Sequence, residues 1–383
     1  MEAATPEKEP TLREQAIEAY RQREVKKYEG IIGEFNDNDL KTLLQQEFIR
    51  AGVSGAQIEA TVPFSDVTVK YESEDALGHY WPIPQGQIAL YAKNIEHYVR
   101  SMMHHKLSYQ YEELIESHNK QPSHETYTDL MMRKKQLDNM FNEQFDASQL
   151  QLGRKILTLG TLIHEEIHAL SEGFSEYKEY TSTDSEVSSI STDRLGFRQY
   201  SYQRRESDDG VDYQEAHNRF SGLNEAFTEI IAKKIERQYV AQFPLEGISS
   251  TEALELVELF DGSYSKERWV AEQLTAIFSV VAEVPHDVVE RSFFHAYIHK
   301  EDVLPQELVA ALFEDIPSLD AKELNMLLLR LQIAIQEKEF REGADIFRLF
   351  DEIIQLLPEK KQSTIKDEFS DIFEKYKRGL LLE

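Results

Sequence analysis

The segment Thr161-Leu-Ile-His-Glu-Glu-Ile-His-Ala-Leu-Ser-Glu172 places His164 and His168 four positions apart, with Glu165 directly after the first. On an α-helix, at about 100° per residue, the two imidazoles stand one turn apart on one face. Neutral imidazole is a good zinc ligand, and a carboxylate beside the ion can work as general base on bound water. With 12 histidines in 383 residues, a chance His-Glu-x-x-His string arises on the order of a few times per hundred such chains. What favours a real site is its setting. Ile156, Leu159, Ile163, Ile167 and Leu170 repeat at intervals of 3 and 4, a buried stripe beside the histidine face of one long helix.

Two histidines leave zinc one short of the three protein ligands of a catalytic site. The chain has no cysteine, so the third must be His, Asp or Glu. Residues 221–231, Ser-Gly-Leu-Asn-Glu-Ala-Phe-Thr-Glu-Ile-Ile, supply a candidate. Leu223, Ala226, Phe227, Ile230 and Ile231 form one apolar face at the helical period, while Glu225 and Glu229 form a separate stripe roughly opposite. Taken without the histidine pair, that stripe reads as a solvated acidic face.

Leu223-Asn-Glu-Ala-Phe-Thr-Glu229 resembles the Leu-Asn-Glu-Gly-Phe-Ala-Glu stretch of aminopeptidase-branch gluzincins, and the Asn-Glu-x-x-x-Asp arrangement of thermolysin-like enzymes. Together with the His-Glu-x-x-His helix, residues 155–232 look like a gluzincin metallopeptidase. The resemblance implies Glu225 as third zinc ligand, Glu229 as the carboxylate that orients a ligand histidine, and Asn224 as support for the other histidine. It also implies a tyrosine or histidine that assists the oxyanion. Tyr264, ahead of a helix start at Ser265, is the leading candidate, with Tyr213 and His217 behind it. Three departures stand out. Ala226 replaces the usual glycine, the interval from His168 to Glu225 is long, and no Gly-x-Met-Glu-Asn segment is present to hold a substrate amino terminus. Aminopeptidase activity is therefore not expected.

Around these motifs the periodicity predicts helices through residues 1–50, strands near 58–71 and 87–92, and helices at about 93–118 and 125–145. A turn-rich stretch, Trp81-Pro-Ile-Pro-Gln-Gly86, precedes the second strand. Asp146-Ala-Ser-Gln149 reads as a capping box for the histidine helix, and Gly160 sits one turn before His164 at a propensity cost of about 1 kcal/mol, tolerable if something packs closely there. Residues 174–215 read as a Ser/Thr/Asp-rich acidic loop followed by hairpin-like alternation over 194–205. Such a loop at 174–190 could cover a cleft until a partner moves it. Beyond 245 the chain reads as helix, broken at Pro285, Pro305, Pro317 and Pro358, with a capping box at Asp320-Ala-Lys-Glu323. His295 and His299 are also four apart, but no adjacent acid completes them, so they read as structural. Arg198, Arg204 and Arg205 form a basic cluster, read as a hairpin face.

A net charge of −28 argues against nucleic acid or an anionic membrane as partner and favours a basic peptide or protein segment. The absence of cysteine fits a reducing cytoplasm, the opening residues lack the pattern of a signal peptide, and no apolar run approaches about 20 residues. The fold expected is α+β and mainly helical: a helical segment over 1–50, a zincin-like unit with a small mixed sheet over 51–244, and a helical bundle over 245–383. The function expected is a zinc-dependent, cytoplasmic peptidase acting on peptide or protein substrates, with Glu165 as base. Its rival is a catalytically inactive zincin-fold scaffold.

Overall fold

The computed structural model describes residues 11–52, 67–71, 76–81, 87–120, 124–141, 147–171, 176–179, 187–207, 210–260, 265–299, 305–316, 322–323, 326, 329–330 and 344–368. The protein is mainly helical, with a small three-stranded mixed sheet and a second, four-stranded antiparallel sheet. Among the described residues no helix is long and apolar enough to cross a membrane.

The chain divides into two compact units, each assembled from separated segments. The first comprises 1–40, 63–165 and 236–261. It opens with α1 (Leu12–Ile32), whose start is fixed by a reciprocal capping box between Thr11 and Glu14. Strands β1 (Val67–Lys70), β2 (Gly78–Trp81) and β3 (Gln87–Tyr91) form the mixed sheet in the order β1-β3-β2. β1 runs parallel to β3 and β2 antiparallel to it, so among the described residues β2 is an edge strand. Two long helices follow, α3 (Ala92–Lys120) and α4 (His124–Phe141), then most of α5 (Ala147–Leu170). β2 departs from the expected pattern. Its four residues are bounded by Pro82 and show too little alternation to be read as strand, and pairing with the apolar β3 decides their conformation.

Glu96 on α3 ties this unit together. Its carboxylate accepts from Arg154 Nε and Nη2 (2.6 and 2.7 Å), Arg100 Nε (2.8 Å), Lys27 Nζ (3.2 Å) and the buried Tyr28 hydroxyl (3.1 Å). Helices α1, α3 and α5 thus meet on one acid. Burial opposes its ionisation, but the arginine hydrogen bonds and surrounding cations outweigh that and hold its pKa far below the usual carboxylate range. The same burial, with Glu96 adjacent, pushes the Tyr28 phenol well above its ordinary value.

The second unit comprises 41–62, 166–235 and 262–383. Strands β4 (Glu176–Glu179), β5 (Val187–Leu195), β6 (Arg198–Ser207) and β7 (Gly210–Arg219) form an up-and-down antiparallel sheet. The acidic loop expected at 174–190 is therefore corrected: residues 176–179 and 187–190 are strand. Ser and Thr in that stretch suggest a loop, yet a long partner in β6, with a register shift between Val187 and Ser189, suffices for a ladder. After the sheet come α6 (Ser221–Gln242), which crosses into the first unit with α7 (Ser250–Leu259), and then the C-terminal helices. These are α8 (Ser265–Val281), α9 (His286–His299), α10 (Gln306–Asp315), α11 (Ala344–Leu356) and α12 (Glu359–Glu368). Their core is aromatic: Trp269 meets Phe350 edge-on at 5.2 Å and Phe227 stacks on Phe293 at 4.9 Å. The capping boxes at Asp146 and at Asp320 involve positions outside the described residues.

Candidate metal centre

Helix α5 is buried on nearly every side from residue 155 to 168. Ile156, Leu159, Ile163 and Ile167 form the apolar stripe, and His164, Glu165 and His168 on the other faces are only 6 %, 7 % and 5 % exposed. Ionisable groups enclosed to this degree need charged or hydrogen-bonding company. The close packing inferred at Gly160 is present. A Cβ there would stand 2.8 Å from a carboxylate oxygen of the fully buried Glu236 on α6. Glycine at 160 admits that acid.

Gly78 on β2 meets a similar demand from the next turn of α5. A Cβ at this position would lie 2.7 Å from Thr161 Cγ2 and 3.1 Å from Glu165 Cγ. The backbone of the edge strand therefore runs directly against the side chain expected to act as base. Position 78 drew no attention in the sequence because its requirement for glycine comes from a helix more than 80 residues downstream.

The start of α6 is equally constrained. Phe220 joins β7 to the helix with φ +58°, a left-handed conformation costly for a side-chain-bearing residue. That single reversal starts the helix at once, placing Asn224 and Glu225 in its opening turns. Asn224 is fully buried and Glu229 is 5 % exposed, so the solvated acidic face considered for this helix is not what the residues form. The apolar residues bury one side, and the helix is enclosed on the acidic side as well.

The two helices bring their chemistry together. Ligand atoms of His164, His168 and Glu225 all lie within 4.8 Å of one another, a group that could hold a metal ion. His168 Nε2 stands 3.2 Å from Glu225 Oε2. Two ligands bound at about 2.0–2.1 Å in a tetrahedron stand about 3.3 Å apart, so this pair already has the spacing of donors sharing one ion. Two imidazoles and a carboxylate fit a borderline divalent cation, and three protein ligands leave a coordination position for water or substrate. The donor set fits the group.

Asn224 lies against this pair. Its Oδ1 accepts the backbone N–H of Phe197 (3.0 Å) and of Arg198 (3.3 Å), and its Nδ2 is 3.5 Å from His168 Nδ1. The donating groups belong to the tip of the β5–β6 hairpin, where Gly196 has φ +57°. Positive φ at the first of two turn residues is what a tight II′-type hairpin requires. A Cβ on Gly196 would also fall 2.6 Å from Asn224 Oδ1.

The remaining expected residues divide. Tyr264 lies outside the described residues. Tyr213 and His217 fall on β7, paired with Arg204 and Ser201 of β6. His295 is half-buried and His299 exposed, their rings 4.2 Å apart, with no third ligand beside them in any metal-binding group among the described residues. Arg198 is half-buried at the hairpin tip rather than on an open face. Sequence reasoning passed over Tyr297, which reads as one more aromatic in Phe293-Phe-His-Ala-Tyr-Ile-His299. The available signal was its hydroxyl, which needs a partner when the ring is buried.

Compared with known proteins, the chain matches no family model, no curated protein sequence and no solved structure. The likeness to gluzincins rests on the residues of two segments.

Proposed function

We propose that the protein is a zinc-dependent peptidase of gluzincin type that hydrolyses peptides or flexible protein segments. The observation that carries this reading is the convergence of His164, His168 and Glu225 within 4.8 Å, with Glu165 enclosed on the same turn of α5. Imidazole and carboxylate donors also suit iron. Zinc is favoured because a glutamate adjacent to the first ligand supplies the base that hydrolysis needs and that redox chemistry does not.

A bound zinc would polarise the scissile carbonyl and acidify the attacking water. The chain does the rest. Glu165 takes one proton from that water as its oxygen bonds to the carbonyl carbon, then delivers it to the departing nitrogen when the C–N bond breaks. Water and one peptide bond become a carboxylic acid and an amine, the acid's proton passes to the amine to leave carboxylate and ammonium, and Glu165 ends as it began. Edge strand β2 suits an extended substrate, because a segment laid along it would pass beside Glu165. Burial around α5 limits competing water. The net charge of −28 favours basic segments, and the cysteine-free sequence suits an enzyme of the reducing cytoplasm.

The test is Glu165→Gln. The substitution removes the base while leaving all three proposed ligands, so zinc content stays at the wild-type level and the appearance of new termini in a peptide mixture stops. Near-normal cleavage by this variant would defeat the mechanism. Wild-type protein yielding no chelator-sensitive cleavage would favour the inactive scaffold.

A further inference from the structure

Tyr297, on α9, is fully buried, and its hydroxyl touches both ligand-bearing helices. It lies 3.1 Å from Ser171 Oγ, just past the end of α5, and 2.7 Å from Thr228 Oγ1 on α6. Ser171 and Thr228 are each three residues beyond a proposed ligand, His168 and Glu225. Ser171 Oγ is also 2.9 Å from the His168 carbonyl, and Thr228 Oγ1 is 2.8 Å from the Asn224 carbonyl.

Each hydroxyl has one proton, which restricts how this chain can be donated. Ser171 donates to Tyr297, Tyr297 donates to Thr228, and Thr228 donates to the Asn224 carbonyl. In this arrangement the phenol bridges the two helices. The ring is held as firmly as the hydroxyl. Phe197 packs on it edge-on at 5.5 Å, and a Cβ on Gly196 would stand 2.3 Å from its Cε2. The hairpin tip that holds Asn224 also presses Tyr297 into place.

We propose that Tyr297 is a positioning residue of the metal centre: its hydroxyl ties the end of α5 to the opening of α6 and so sets the separation of His168 from Glu225. This rests on the metal-binding reading. It predicts that a group with no contact to the ion governs metal affinity and coordination geometry.

Tyr297→Phe tests it cleanly. Phenylalanine fills the same space, and the Ser171 and Thr228 hydroxyls can both still donate to the carbonyls beside them, so no buried donor is orphaned. Only the cross-link goes. Metal affinity is measured by chelator competition, and coordination is read from the visible absorption of the cobalt-substituted protein. Tyr297→Phe should weaken metal binding about tenfold or more, the range for partners that orient ligands, and should alter the cobalt spectrum. Thr228→Val, which removes the α6 arm of the bridge, should act in the same direction. Tyr239→Phe is the control. Its hydroxyl accepts from the Asn36 N–H at 3.0 Å, and losing it should lower stability without changing either metal readout.

Wild-type affinity and spectrum in Tyr297→Phe would overturn the inference alone. Equal weakening in Tyr239→Phe would overturn it too, by assigning the effect to general destabilisation. A wild-type chain that binds no divalent ion would overturn the metal reading and this inference with it.

Discussion

A single methyl group separates glycine from alanine at position 78, and that methyl would occupy space held by Thr161 and Glu165. Edge strand β2 or the glutamate must then move. The proposed ligands lie on other residues, so the displacement falls on the proposed base and on the strand beside it. Gly78→Ala should therefore keep the metal affinity of the wild type while peptide cleavage drops by about a hundredfold, the scale of loss for a misplacement of about 1 Å. Parallel chelator-competition and turnover measurements check this, and unimpaired cleavage would remove Gly78 from the site. The contrast with Tyr297→Phe is useful: one substitution addresses the proposed base and the other the proposed ligands.

At the scale of elements, the Glu96 hub joining α1, α3 and α5 gives the first unit a defined pH response. The folded-state pKa of Glu96 lies far below the ordinary carboxylate value, so its contribution is fully present above that ordinary range and declines as pH falls below it. Glu96→Gln should lower the Tm at neutral pH, and the gap from wild type should narrow steadily as the pH is taken below about 4.5. A gap constant with pH would show that the ion pairs add nothing beyond hydrogen bonding. Much at this scale was legible in the sequence. The long helices announced themselves by period, and the histidine helix by its apolar stripe at Ile156, Leu159, Ile163 and Ile167. The sheet at 176–219 was only half visible, because Ser- and Thr-rich strands gain their stability from cross-strand neighbours that local reading does not see. The site divides the same way. His164, His168 and Glu225 are readable because ligand chemistry restricts residue type and spacing. Gly78 and Tyr297 are not, because Thr161, Glu165, Ser171 and Thr228 impose their requirements from elsewhere in the chain, and at Gly160 the sequence signals close packing without naming Glu236 as its source.

At the scale of the whole molecule, 70 acidic and 42 basic residues give a field that attracts cationic segments over about a Debye length, roughly 8 Å at physiological salt. Such a field raises encounter rates and does no chemistry. Chemistry requires that two stretches 57 residues apart, with a four-stranded sheet between them, deliver their donors to one point. The helices α5 and α6 do so, and zinc binding is the most direct test. Protein loaded with zinc, dialysed and analysed for metal should hold one ion per wild-type chain and far less in Glu225→Ala, because two histidines alone bind too weakly to survive dialysis. One zinc per chain in Glu225→Ala, or none in the wild type, would contradict the account.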